Sequence, residues 1–239
     1  MRTYFLADLH FDRNNKALCA GIFQALATIK ADEQKSALYL LGDVFEYWLG
    51  FEDDESLLYQ LADLGIPVYF QQGNRDFLLS KALLEPFGIE LLPERYVLLL
   101  HDKRILLEHG DLLCTADKGY QQMRKIVRQP VVQWIYHALP KCCKQSIAAK
   151  LRNQSSGIKA WVDVDEEEVM RVLDDHQANM MIHGHTHKPH IHSYGNDTKR
   201  FVLGDFRANQ DGHYQGMAVV YDSEKRDFYT IMMGYSQGK

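Results

Sequence analysis

The apolar positions of this chain fall into short continuous runs, each ended abruptly by polar residues. Arg2 to Ala7 reads as a buried strand that runs into Asp8-Leu9-His10. From Cys19 to Ile29 the residues Ile22, Phe23, Leu26 and Ile29 recur at helical spacing, which predicts a helix. Ala37 to Leu41 predicts a second strand ending in Gly42-Asp43, and Ser56 to Leu64 a helix stopped by Gly65 and Pro67. Pro67 to Gln71 predicts a third strand that delivers Gly73-Asn74-Arg75-Asp76. Strands alternating with helices predict βαβ units, hence an α/β protein with a parallel core. Arg104 to Leu107 leads into Glu108-His109-Gly110-Asp111, and Phe201 to Leu203 into Gly204-Asp205. Met217 to Tyr221 and Phe228 to Met232 are expected to complete a second sheet.

The run Met180-Met181-Ile182 ends in His183-Gly184-His185-Thr186-His187, three histidines at alternate positions with a glycine at the bend. Histidine is the commonest metal ligand among the side chains. A Gly-Asp or Gly-Asn pair after a strand is often no more than a turn. Here the first five such strand ends, up to and including the histidine cluster, all carry Asp, Asn or His. In open α/β sheets ligands collect beyond the carboxyl ends of the strands, so these polar ends are read as one site.

Composition narrows the class. The chain has 239 residues, 46% hydrophobic and 25% charged, with a net charge of −5, which suits one large soluble domain or two small ones. No run approaches the roughly 18 apolar residues of a membrane span, and Asp8 comes too early for a secretory leader. Cys19, Cys114, Cys142 and Cys143 show neither zinc-type nor disulfide-framework spacing, so reduced cytoplasmic thiols are expected.

Charge is unevenly spread. From Lys118 to Lys159 there are nine Lys or Arg residues and no Asp or Glu, interleaved with large apolar residues such as Met123, Ile126, Trp134 and Ile147. Pro130 and Pro140 are expected to break the segment into short helices. Such a basic amphipathic stretch suits an anionic ligand or an anionic membrane surface. Its aliphatic content exceeds what tracking a nucleic-acid backbone requires.

Mixed oxygen and nitrogen donors without thiolates suit Mn²⁺, Fe²⁺, Zn²⁺ or Mg²⁺ rather than a structural zinc. There are more donors than one ion can use, so two ions are expected, with Asp43 bridging them. Such a pair clamps the attacking and leaving oxygens of a displacement at phosphorus.

Asp8-x-His10, Gly42-Asp43, Gly73-Asn74, His109-Gly110 and Gly184-His185-x-His187 resemble the motif set of calcineurin-like metallophosphoesterases, in order and spacing. The resemblance implies a sandwich of two mixed β-sheets flanked by helices, in a single domain over 1–239 with a helical lid inserted at 117–160. It also implies one metal held by Asp8, His10, Asp43 and His187, and another by Asp43, Asn74, His109 and His185. His183 and Glu46 would stand behind these ligands.

Where most members carry histidine after Gly-Asn, this chain has Arg75. Gly73 to Leu78 and Leu113 to Gln121 are similar to one subfamily, the diphosphatases that cleave UDP-2,3-diacylglucosamine in lipid A synthesis. That similarity implies Mn²⁺, a catalytic set of Asp43, Asn74 and Arg75, and substrate contacts from Asn74, Arg75, Asp117, Tyr120, Arg152 and His185. Ser155 and Lys159 join the contacts on chemistry and location. A monomer on the cytoplasmic face of the inner membrane is expected, with another phosphodiesterase or nucleotide pyrophosphatase, or a metal-free scaffold, as the alternative.

Overall fold

β1 (Arg2–Leu6), β2 (Lys35–Leu41), β3 (Val68–Gln71) and β4 (Ile89–Leu91) are parallel neighbours in a computed structural model. The structure describes residues 1–50, 53–147 and 163–234. On the other side of β1 lies β11 (Tyr214–Asp222), antiparallel, with β12 (Asp227–Gly234) along its far edge and the short β10 (Arg207–Ala208) against its start. The second sheet runs β5-β6-β7-β9-β8. In it β6 (Lys103–Glu108), β7 (Met180–His183) and β9 (Thr198–Val202) are parallel, with β5 (Arg95–Leu100) and β8 (His190–Gly195) antiparallel at the edges.

The two C-terminal strands therefore belong to the first sheet and not to the second. The reason lies in β1, whose two faces are both buried: Tyr4 and Leu6 enter one core, Phe5 and the following Ala7 the other. A strand covered on both faces needs partners on both edges, because its unpaired N–H and C=O groups would have no water. β2 supplies one partner and β11 the other. β11 splits the same way, Ala218 and Val220 to one side, Val219 and Tyr221 to the other.

Three apolar cores result. The first lies under α1 (Lys16–Ala31) and α2 (Ser56–Ala62) and takes in Leu84 of the short α3 (Lys81–Leu84). α1 is started by Asn15, whose side chain accepts from Leu18 N at 3.1 Å, and it buries Leu18, Ile22, Ala25, Leu26 and Ile29. The second core fills the space between the sheets. The third lies between the second sheet and the helix Glu166–Asp175, which buries Val169, Val172 and Leu173. That helix carries a legible start signal: Asp165 accepts from Glu167 N at 3.0 Å, and three glutamates fill the positive first turn.

The described part of the basic segment, 118–147, folds as short helices broken at the prolines, α4 (Lys118–Val127), α5 (Pro130–Ala138) and a further helix over 141–147. Its cations do not all face solvent. Arg124 is buried, with Nε 2.6 Å from Asp111 Oδ2 and Nη2 2.9 Å from Glu94 Oε1. Arg128 reaches Glu94 at 2.7 Å and the Gly73 carbonyl at 2.7 Å, and Lys144 is buried with Nζ on the His137 carbonyl. These contacts fasten the helices to the loops behind the strand ends. The outer face instead exposes Met123, Ile126, Val131, Trp134 and Ile135, with Trp134 at 71%. Among the described residues no helix is long and apolar enough to cross a membrane.

Candidate metal centre

The carboxyl ends of β1, β2, β3, β6 and β7 converge, and their loops are laced together by backbone hydrogen bonds. Asp8 N donates to Gly42 O, His10 N to Asp43 O and Phe11 N to Val44 O, at 2.9–3.0 Å. Gly184 N donates to His109 O at 2.9 Å, which ties the two loops of the second sheet. The Asp76 carboxylate, fully buried, accepts from Gly73 N at 2.7 Å and Val44 N at 2.8 Å, locking the β2 and β3 loops together. Burial and the Asp43 charge push its carboxyl up to about 6.

These loops turn so sharply that Asp8, His10, Asp43, His185 and His187 all have left-handed backbones, with φ between 49° and 69°. Each costs on the order of 1 kcal/mol for a residue with a Cβ, and such strain concentrates at functional sites. Glycines stand where no side chain fits. A Cβ on Gly73 would lie 2.1 Å from Asp43 Oδ1, and one on Gly184 2.3 Å from Asp8 Oδ2.

The structure brings together all seven residues named from the sequence as ligands. His187 Nε2 lies 3.4 Å from Asp8 Oδ1 and 3.2 Å from His10 Nε2. His109 Nε2 is 3.7 Å from Asp43 Oδ1, and both His109 Nε2 and His185 Nδ1 are 3.1 Å from Asn74 Oδ1. Two groups of donor atoms converge, Asp8-His10-His187 and Asp8-Asp43-His109, sharing Asp8.

The donors fit a divalent cation. Asp8 Oδ1 is buried and has no hydrogen-bond partner, while Oδ2 accepts from His185 N at 2.8 Å. His109 Nδ1 faces the Leu41 carbonyl at 2.9 Å, so in the neutral ring Nε2 bears a lone pair aimed at the Asn74 oxygen. In that form a divalent cation would be held by both atoms. Burial holds His185 down at about 4, which keeps it in the neutral, ligating form. Burial also opposes charge on His187, but Asp205 and Asp8 overcome it and raise that ring to about 9. The shift reports the negative potential that the Asp205 and Asp8 carboxylates set up around the ring.

Behind the donors stands an outer layer. His187 Nδ1 faces Asp205 Oδ2 at 3.2 Å, and His10 Nδ1 faces Glu46 Oε2 at 3.3 Å. Such carboxylates fix a ligating ring's tautomer and orientation. Glu46 also pairs with the Arg75 guanidinium, which lies 5.5 Å from the Tyr47 ring centre, with Nε 3.6 Å from Asp43 Oδ2. His183 turns away from the donors: its Nδ1 donates to Gly184 O at 2.8 Å and its Nε2 faces the buried Arg200 at 3.2 Å. Burial and that arginine push His183 down to about 3.

Asp117 caps α4, accepting from Tyr120 N at 2.9 Å, and the Tyr120 hydroxyl donates to Asp111 at 2.5 Å. Arg152, Ser155 and Lys159 lie outside the described residues. The sequence reading gave no role to Asp76, Asp111, Asp205 or Arg200. Asp76 and Asp205 directly follow motif segments that were read, so a carboxylate two residues after Asn74 or one after Gly204 was the available signal. Between α4, α5 and the loops after β2 and β3 lies an apolar cavity of about 230 Å³, walled by Trp48, Phe77, Met123, Val132 and Tyr136. Asn74 and Arg75 are among its polar lining residues.

A family model described as calcineurin-like phosphoesterase matches residues 1–189. The UDP-2,3-diacylglucosamine hydrolase of Photorhabdus laumondii is 40% identical, across 97% of this chain and 99% of that protein. The protein of the same name from Shewanella piezotolerans is 42% identical over 86% of this chain and 90% of its own length. One from Escherichia coli is 43% identical over 80% and 84%. Among solved structures, a dimetal phosphatase from Danio rerio superposes with a TM-score of 0.53 at 14% identity, over 99% of both chains, a likeness of fold.

Proposed function

The chain belongs to the calcineurin-like phosphoesterases, and on that premise we propose that it hydrolyses the pyrophosphate of UDP-2,3-diacylglucosamine to UMP and 2,3-diacylglucosamine 1-phosphate. One observation carries the reading: an apolar cavity includes Asn74 and Arg75 in its lining, beside the convergent donors, so a lipid tail and a phosphate are served by one continuous surface.

Two Mn²⁺ ions are proposed, one on Asp8, His10, Asp43 and His187, the other on Asp43, Asn74, His109 and His185. Asp43 suits the bridging role because β2 lies between β1, which brings Asp8, and β3, which brings Asn74. When bound, the pair supplies an activated water and a Lewis acid at phosphorus.

The chain's own groups account for the rest. Arg75 helps line the cavity, where it meets the phosphate attached to the lipid half. Arginine stays protonated and donates no proton near neutral pH. A phosphate monoester leaves without one, since its second pKa is about 6, and a planar guanidinium pairs with it bidentately. Glu46 and Tyr47 hold Arg75 in place for this. Asn74 and His185 contact the same phosphate, Tyr120 lines the cavity mouth, and Asp117, Arg152, Ser155 and Lys159 are proposed contacts to the sugar and acyl groups. Residues 117–160 act as the lid, and its exposed apolar face rests on an anionic membrane surface. The monomer works from the cytoplasmic face.

The test is hydrolysis of UDP-2,3-diacylglucosamine by the Mn²⁺-loaded protein in ¹⁸O-water, followed by mass spectrometry. With the lipid phosphate leaving toward Arg75, the label enters UMP. Absence of cleavage, or label in the lipid phosphate, overturns the reading.

A further inference from the structure

On the outer face of the second sheet, between β8 and the start of the helix Glu166–Asp175, lies a second groove of about 350 Å³. Its character is opposite to that of the lid cavity. Asp163, Glu166, Thr186, Lys188, His192 and Arg200 line it, with Val202 as its apolar floor. Thr186 stands between His185 and His187, so the groove wall is one peptide step, ~3.8 Å along the chain, from two proposed ligands. The apolar cavity is lined in part by Asn74 and Arg75, this groove by Thr186 and Lys188, the residues on either side of His187. The donors thus lie between an apolar and a polar recess.

Charge decides what the polar recess takes. Lys188 Nζ is 2.7 Å from Asp163 Oδ2, and Arg200 Nη2 is 2.5 Å from Glu166 Oε1. Two cations answered by two carboxylates leave no net charge for a phosphate to neutralise. What remains is hydrogen-bonding capacity and ring surface. The carboxylates have spare lone pairs for a vicinal diol. The His190 and His192 rings stand 4.6 Å apart, edge to face, and present imidazole to a planar base. Burial and the Arg200 charge keep His192 below the ordinary histidine range, hence neutral. A neutral, hydroxylated ligand with a flat polar ring matches this inventory.

We propose that this groove is the nucleoside subsite, taking the ribose on Asp163 and Glu166 and the base against His192. The proposal rests on the substrate reading above, since it assigns the other end of the same pyrophosphate.

The experiment compares binding of UMP and methyl phosphate to the Mn²⁺-loaded protein by calorimetry, in wild type, His192→Ala and Asp163→Asn. Binding of 2,3-diacylglucosamine 1-phosphate serves as the control for the lid cavity. The expected result is a preference for UMP of about tenfold or more in wild type, reduced to within about threefold in each variant, with lipid-phosphate affinity unchanged. KM for UDP-2,3-diacylglucosamine then rises in the variants more than kcat falls. A wild type that does not prefer UMP, or variants that keep the preference, overturns the subsite while leaving the hydrolase reading intact. Preferential UMP binding in a protein that does not cleave the lipid substrate keeps the subsite and overturns the substrate assignment. A parallel loss of lipid-phosphate affinity marks a structural role for these residues and also overturns the proposal.

Discussion

Arg75 stands where the motif set that this chain resembles carries a histidine, and its chemistry differs from that of the ring. Its guanidinium is held from three sides, by Glu46, the Tyr47 ring and Asp43, and it helps line the apolar cavity. Arg75→Ala is expected to lower kcat on the pyrophosphate on the order of 10²-fold, the scale of losing one preorganised charge donor. Arg75→His is expected not to restore it, because the lost contribution is fixed charge and not a proton. Steady-state kinetics of the three proteins on the lipid pyrophosphate and on an aryl phosphodiester check this; an Arg75→Ala protein at near wild-type rate sinks the argument. Asp43 tests a different point. As the proposed shared ligand, Asp43→Ala should bind neither ion tightly, while circular dichroism stays native. Elemental analysis that still finds two equivalents of metal would remove Asp43 from the bridge.

At the scale of the element, the basic helices are fastened by the cations that make them look like a membrane surface. Arg124 is 8% exposed and paired with Asp111, which is itself buried and also takes the Tyr120 hydroxyl. Removing one partner of a buried pair leaves the other charge without compensation, at a cost of about 3 kcal/mol or more. Arg124→Met is therefore expected to lower stability by about that much in urea titration, and to release α4 to proteolysis before the sheets unfold. In the proposed membrane contact the apolar side takes this role, with Trp134, Val131 and Ile126 each at least 60% exposed. Replacing Trp134 and Ile126 by Ser is expected to reduce sedimentation with anionic vesicles at high salt by several-fold. Chain turnover on a short-acyl substrate should hardly change. Vesicle binding that survives this double substitution but collapses in salt would assign attachment to the lysines instead.

At the scale of the whole molecule, the donor residues couple metal binding to stability. Five of them sit on left-handed backbone, and Asp8 Oδ1 is buried without a hydrogen bond. A ligand that binds only the folded state stabilises it by RT ln(1 + [L]/Kd), about 4 kcal/mol at a thousandfold excess over Kd. Chelation is thus expected to lower the unfolding temperature, and added Mn²⁺ to raise it again in proportion to the logarithm of its concentration. Scanning calorimetry at several metal concentrations gives the slope. A transition that ignores both chelator and Mn²⁺ would show that these donors hold no ion in the folded protein.

The sequence by itself determined the local elements and the chemistry at their ends. Apolar runs closing on Asp8, Asp43, Asn74, His109 and His185 were legible because a buried strand must be apolar, while its end is free to carry donors. The broken basic helices were legible because proline cannot continue a helix. Tertiary structure alone decided which sheet took β11 and β12, because strand pairing depends on which edge is left open and not on the strand's own pattern. It alone turned Arg124 and Arg128 inward to Glu94, a partner some thirty residues away. It also placed Asp205 behind His187 and set Asp163 beside Lys188 in the polar groove. Charge counted along a chain is one-dimensional, whereas what a charge does is fixed by the neighbour that folding brings to it.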